Sequence, residues 1–126
     1  MEFPDDLKYS ENHMWARVAG NEVTLGVTAY AAEEMGEIVY VQLPDEGDEA
    51  EAGEPFGSIE STKAIEDLVS PVSGKVAKVN SEVVDAPETI NQDPYGDGWL
   101  LVLEAADVRE VEELLSAPEY EKQIEE

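Results

Sequence analysis

Glu60-Ser61-Thr62-Lys63-Ala64 places a long primary amine in a short polar segment between two β-prone runs, in a chain with 7 Lys plus Arg against 31 Asp plus Glu. The amine has two readings. It is an ordinary exposed charge, or it is an attachment point, because an exposed turn offers a side-chain amine to a modifying enzyme while rigid flanking strands hold it outside the core. Modification to an amide would also remove the positive charge. His13, the single histidine, stands beside Met14 and Trp15 where the first strand is expected. A neutral imidazole can assist proton transfer, but with no second His and no Cys there is neither a nucleophilic triad nor a zinc cluster, so a structural or surface role is expected. With 31 acids in 126 residues, close carboxylate pairs arise by chance and carry no argument for glycosidase-like or metal chemistry. The glycines form neither a dinucleotide fingerprint nor a P-loop.

The formal net charge of -24 sets the chain against nucleic acid and anionic membrane surfaces. Lys75 and Lys78 make no basic stripe interleaved with aromatics, and they read as exposed strand charges. A hydrophobic content of 42% is nevertheless enough for a folded core, and 126 residues suit one domain. The absence of Cys excludes a disulfide scaffold, a thiolate metal site and a cysteine nucleophile, so any sulfur redox chemistry must be imported. Residues 1–15 lack the basic and apolar regions of a secretory signal, and no segment approaches the roughly 20 apolar residues of a membrane helix; a soluble cytoplasmic protein is expected. The acidic excess reads mainly as surface adaptation to high salt, with steering of basic partners as a local secondary use.

The elements that must position these residues follow from pattern. Residues 13–18 and 23–27 read as a hairpin around Gly20-Asn21. Thr28 caps a short helix through Met35, which Gly36 stops. Residues 38–41 form a strand, followed by an acidic turn at 45–48. Residues 56–60 and 64–68 flank the Ser61-Thr62-Lys63 turn, and a further strand occupies 75–79 after the bend at 70–74. The turn-forming residues of 80–98 predict mainly loops, ahead of a buried strand at 99–103. Val108, Val111 and Leu115, broadened by Leu114, predict an amphipathic helix over about 106–116 that covers a sheet or binds a partner, ending near Pro118. Tyr30, Tyr40, Phe56, Tyr95 and Trp99 are expected mainly as packing anchors. The whole suggests one small, mostly β barrel or sandwich.

Several separated segments resemble the glycine cleavage system H protein family of the lipoyl/biotinyl-attachment superfamily. They are His13-Met14-Trp15, Thr28-Ala29-Tyr30-Ala31, residues 35–44, Glu60-Ser61-Thr62-Lys63-Ala64, Ser70-Pro71-Val72-Ser73-Gly74 and residues 91–99. In the broader lipoyl-domain pattern a glycine on each side of the modified lysine helps form neighbouring turns, and Gly47, 16 positions before Lys63, and Gly74, 11 after it, match both spacings.

The resemblance implies a flattened barrel-sandwich hybrid with a lysine-bearing hairpin, a short helix after the first hairpin and a C-terminal helix, in a single carrier domain over 1–126. It implies that Lys63 is the lipoyl attachment position, that Glu60 and Ala64 help lipoylation enzymes recognise the turn, and that Thr62, where the family often has Val, keeps the β-branched stiffness. It further implies a non-catalytic carrier without a metal. Its lipoyl disulfide would receive an aminomethyl group from a pyridoxal-phosphate-dependent glycine decarboxylase (P protein) and present it to a tetrahydrofolate-dependent aminomethyltransferase (T protein). A FAD-containing dihydrolipoyl dehydrogenase (L protein) would then reoxidise it with NAD. The hard chemistry would belong to these partners, met transiently by a monomer. An H-like lipoyl-relay protein and an acidic binding domain with unmodified Lys63 are the alternatives.

Overall fold

The computed structural model describes residues 3–125. Its first strands, β1 (Lys8–Tyr9), β2 (Met14–Ala19) and β3 (Glu22–Val27), pair antiparallel in sequence order, and Gly20, at a φ of 66°, supplies the left-handed residue of the β2–β3 turn. The Thr28 hydroxyl accepts the Ala31 amide hydrogen at 3.2 Å and so starts helix α1 (Ala29–Met35). The chain continues as β4 (Ile38–Gln42), β5 (Glu49–Ala50), β6 (Pro55–Ser61), β7 (Ile65–Val69) and β8 (Gly74–Val79). Two short helices, α2 (Ser81–Asp85) and α3 (Glu88–Gln92), precede β9 (Leu101–Ala105), a 3-10 helix at Val108–Glu113 and α4 (Ala117–Ile124).

The strands make a six-stranded sheet in the order β1-β2-β3-β9-β8-β5 and a three-stranded sheet in the order β4-β6-β7. Each face toward the other alternates in the strand period: Val23 and Leu25 on β3 and Leu101 and Leu103 on β9 meet Ile38, Val41, Ile59 and Leu68 of the smaller sheet in one apolar cluster. This is the sandwich-like β architecture of lipoyl domains, closed by helices. A bulge shapes β4. Ile38 pairs with Ser61 but Tyr40 with Glu60, so the strand gains one residue; Ile38 and Val41 are buried while Val39 and Tyr40 are left exposed.

The first half of β2 is buried on both faces. Met14 and Ala16 join the inter-sheet cluster, and Trp15 joins a second cluster with Leu7, Tyr9, Ala117 and Tyr120. Trp15 Nε1–H donates to the Pro94 carbonyl at 2.9 Å, and the rings of Tyr9 and Tyr120 stack with centroids 5.0 Å apart.

Several expected elements differ. The helix expected over about 106–116 is a 3-10 helix that ends at Glu113. The backbone of Leu115 is committed elsewhere: its N–H and carbonyl each bond Tyr9, both at 2.8 Å, as a strand pair would. The α-helix begins only at Ala117, and Pro118 lies in its first turn, where a missing N–H costs nothing; the proline starts this helix rather than ending the previous one. Residues 80–98 are not mainly loop, because Asn80 caps α2 by accepting the Glu82 amide hydrogen at 3.1 Å and α3 follows directly. Trp99, expected inside a strand, lies half-buried ahead of β9. Tyr40 is 51% exposed and is no packing anchor, whereas Tyr30, Phe56 and Tyr95 are half-buried. Among the described residues no helix is long and apolar enough to cross a membrane.

Helix α4 is short and needs its cap. Ser116 and Glu119 bond reciprocally, the Ser116 N–H to Glu119 Oε1 at 2.9 Å and the Glu119 N–H to Ser116 Oγ at 3.4 Å, which holds the Glu119 carboxyl below its ordinary pKa. Replacing Ser116→Ala is expected to lower unfolding free energy by about 0.5–2 kcal/mol in denaturant titrations. An unchanged midpoint would show that packing of Tyr120 alone holds the helix.

Candidate functional site

Lys63 lies in the turn between β6 and β7, and the turn is built by Ser61. The Ser61 N–H donates to the Ala64 carbonyl at 2.8 Å, while the Ser61 hydroxyl oxygen receives the N–H of Lys63 at 3.2 Å and of Ala64 at 3.1 Å. One side chain thus takes up two amide hydrogens that a tight turn would otherwise leave to solvent. The Thr62 N–H reaches across to the Glu37 carbonyl at 3.1 Å and ties the turn to the corner between α1 and β4.

That corner is itself held. Asn91, on α3, accepts the Ile38 N–H at 3.0 Å and donates its side-chain N–H to the Gly36 carbonyl at 2.8 Å. Gly36, at a φ of 81°, takes a backbone conformation that favours glycine, and its missing side chain leaves room for the lysine stem, since a Cβ there would stand 3.2 Å from Lys63 Cε. The lysine stem therefore runs over a bare stretch of backbone. Among the described residues the one ion pair joins Arg109 to Asp107, so no carboxylate holds the Lys63 amine. An exposed amine rooted in a fixed turn fits acylation.

Beside this corner opens a pocket of roughly 360 Å³. Met14, Val27, Met35, Ile59 and Leu68 line it with apolar surface, and His13, Tyr30, Glu34 and Glu66 bring polar groups. Met35, in the pocket lining, immediately precedes Gly36, over which the lysine stem runs. His13 is the only described residue other than glycine with a positive φ, 67°, and its N–H closes a turn onto the Ser10 carbonyl at 3.1 Å. Its Nδ1 lies 2.7 Å from the Tyr120 hydroxyl, which lies 2.8 Å from Thr28 Oγ1. Only one order gives both hydroxyl hydrogens an acceptor in this chain: Thr28 donates to Tyr120 and Tyr120 donates to His13 Nδ1, leaving the imidazole neutral. Burial lowers the His13 pKa, against the opposing pull of Glu34 and Glu66, and burial pushes the Tyr120 phenol up to about 12.

The other expected site residues divide into two groups. Glu60 and Ala64 share the hairpin with Lys63: Glu60 is half-buried on β6 with Tyr40 and Ile65 as cross-strand neighbours, and Ala64 packs on the apolar cluster. Gly47 and Gly74 instead meet at the β5–β8 edge of the larger sheet. Gly47, at a φ of 95°, lies in the 45–48 turn with its N–H on the Val76 carbonyl at 2.8 Å. Gly74 forms no turn itself; it is the first residue of β8, where a Cβ would come within 2.5 Å of the Glu104 carbonyl oxygen of β9. Asn91 and the Thr28–Tyr120–His13 chain have no local sequence signal, since their partners lie 53 to 107 positions away.

A lysine anchored at its backbone, free at its tip and set beside a largely apolar pocket on paired antiparallel sheets is the geometry of a domain able to carry a covalent prosthetic arm. The family model described as "Glycine cleavage H-protein" matches residues 7–126. The "Glycine cleavage system H protein" of Halalkalibacterium halodurans is 52% identical over 123 residues, covering 98% of this chain and 96% of that protein. The "Probable glycine cleavage system H protein" of Haloarcula marismortui is 52% identical over 122 residues, covering 97% and 96%. The crystal structure of a glycine cleavage system H protein from Mycobacterium marinum superposes with a TM-score of 0.91 at 41% identity, over 98% of this chain and 100% of that one. The chain belongs to the glycine cleavage H-protein family. It is a non-catalytic carrier that bears lipoic acid covalently on a lysine, conveys the aminomethyl group of glycine cleavage, and works with the P, T and L proteins.

Two measurements probe this geometry. Because the folded site resists protonation, wild type should lose stability as pH falls below about 6.5, the ordinary imidazole value, through the lowered pKa of His13. A His13→Asn variant, whose side chain tolerates the left-handed backbone, should lack that component; a stability difference that does not change with pH overturns the assignment. In Asn91→Ala, two hydrogen bonds are lost, and about 1 kcal/mol of stability should go with them. Amide exchange at Ile38 and Thr62 should quicken, and unaltered exchange at Thr62 would show that the clamp stops short of the lysine turn.

Proposed function

We propose that Lys63 is the residue that bears the lipoyl group, in amide linkage through Nζ, within a single carrier domain over 1–126. The observation that carries this reading is the fixed turn: Ser61 and Thr62 immobilise the backbone on either side of an amine that meets no carboxylate. When bound, the lipoyl group supplies a cyclic disulfide that accepts the aminomethyl group and is later restored from the dithiol. This chain's own residues hold the root of the arm and shelter its end. The pocket beside Gly36 is the resting place we assign to it: Met14, Met35, Ile59 and Leu68 offer apolar surface that excludes water, and Glu34 and Glu66 set negative charge near an amine. A neutral His13 adds no competing positive charge there. Glu60 and Ala64, sharing the lysine's hairpin, take part in recognition by lipoylation enzymes; Gly47 and Gly74 shape the distant β5–β8 edge.

The carrier acts as a monomer in transient complexes, and we place it in the cytoplasm. Intact mass and peptide mapping of protein from its native host provide the test. A lipoyl increment is expected on Lys63 of wild type and nowhere on a Lys63→Arg variant; an increment on another lysine, or its absence in a host that lipoylates other proteins, overturns the assignment.

A further inference from the structure

Among the described residues, three of the five exposed large apolar side chains, Val39, Tyr40 and Ile65, lie on the strands that reach the Lys63 turn. Ile65 is 70% exposed and Tyr40 51%. Two of them share a row: Tyr40 pairs with Glu60 and Glu60 with Ile65, so Tyr40, Glu60 and Ile65 cross the outer face of the small sheet, with Val39 in the β4 bulge next to Tyr40. The β4 bulge is what turns Tyr40 outward, since an unbroken strand from the buried Ile38 would carry it inward. Single exposed apolar residues need no explanation, but a row of them around one carboxylate, beside the lysine of a chain with net charge -24, is a surface kept apolar against the general composition.

We propose that the Tyr40–Glu60–Ile65 row is the docking surface for the enzyme that attaches the lipoyl group. The inference rests on the reading that Lys63 is the attachment residue. Its occupant follows from reach. In the attachment reaction the Lys63 amine, its proton passed to a base of the partner, bonds to the acyl carbon of an activated lipoate. The bond from that carbon to the activating group breaks, and the activating group leaves with the electron pair. This partner alone must bring its reacting carbon to Nζ itself, so it covers the face from which the lysine springs. The P, T and L proteins act on the far end of the arm and can stand off from its root. Tyr40 and Ile65 are the apolar anchors of the contact, and Glu60 with the exposed Glu37 calls for a basic rim on the partner.

The test uses the full unmodified chain, a lipoate ligase, free lipoate and ATP, with initial rates read by intact mass and the site by peptide mapping. Tyr40→Thr and Ile65→Thr retain strand propensity, and Val84→Thr, changing an apolar residue that is 42% exposed on α2, serves as the control. Each of the first two should slow modification about tenfold, the loss expected from truncating a central anchor, with melting temperature unchanged, while Val84→Thr labels at the wild-type rate. Wild-type rates in both row variants overturn the docking surface while leaving the Lys63 reading intact. So does sedimentation showing that either variant converts a dimer to monomers, which would assign the face to a second copy of this chain. Failure of wild type to take up lipoate at Lys63 overturns the attachment reading and this inference together.

Discussion

The Ser61 hydroxyl accepts two amide hydrogens from its own turn, and the Thr62 amide, next along the chain, donates to Glu37 on a different strand connection. The arm we assign to Lys63, which several enzymes must reach, has to be mobile at its end and motionless at its root. These bonds supply the second property without burying the lysine. Everything around the turn serves the same division. Gly36 leaves room for the stem, Asn91 pins the backbone beneath it, and the β6–β7 pairing carries the turn out beyond the core.

The molecule meets its charge burden by segregation. The buried polar side chains are Ser10, Thr28, Ser61, Ser70 and Asn80, none of them ionisable at neutral pH, and among the described residues no buried side-chain nitrogen or oxygen lacks a hydrogen-bond partner. The carboxylates stay in water, where salt screens their mutual repulsion, and the apolar clusters are left to pack without a desolvated charge. Tyr120 shows how closely this is managed. Its ring stacks in the second cluster while its hydroxyl is spent on His13 and Thr28, so one side chain joins that cluster to the wall of the pocket.

Local signals made much of this readable from the sequence. The β2–β3 hairpin, the Thr28 cap and the Gly36 stop, and the two strands around Ser61-Thr62-Lys63 all depend on residues within a few positions of one another. Fold class and the lysine turn followed from them and from the family resemblance. What was not legible depends on distant partners. Leu115 reads as helical until its pairing with Tyr9 is known, and Pro118 reads as a stop until Ser116 is seen to cap a new helix. Helices α2 and α3, each 5 residues long, are too short for a helical period to emerge among their turn-forming neighbours. The pocket is a product of the whole topology, drawing on β2, β3, α1, β6 and β7.

Strand order also imposes a sequence of events in time. The β6–β7 hairpin closes through a short turn and can form as soon as residue 69 has left the ribosome, whereas β3 must wait for β9, and the polar wall at His13 must wait for Tyr120. During synthesis the lysine turn therefore has its local geometry well before the pocket beside it is complete. Helix α4 brings Tyr120 to His13 last, so truncating it would leave the lysine turn in place but release the His13 side of the pocket from its partner.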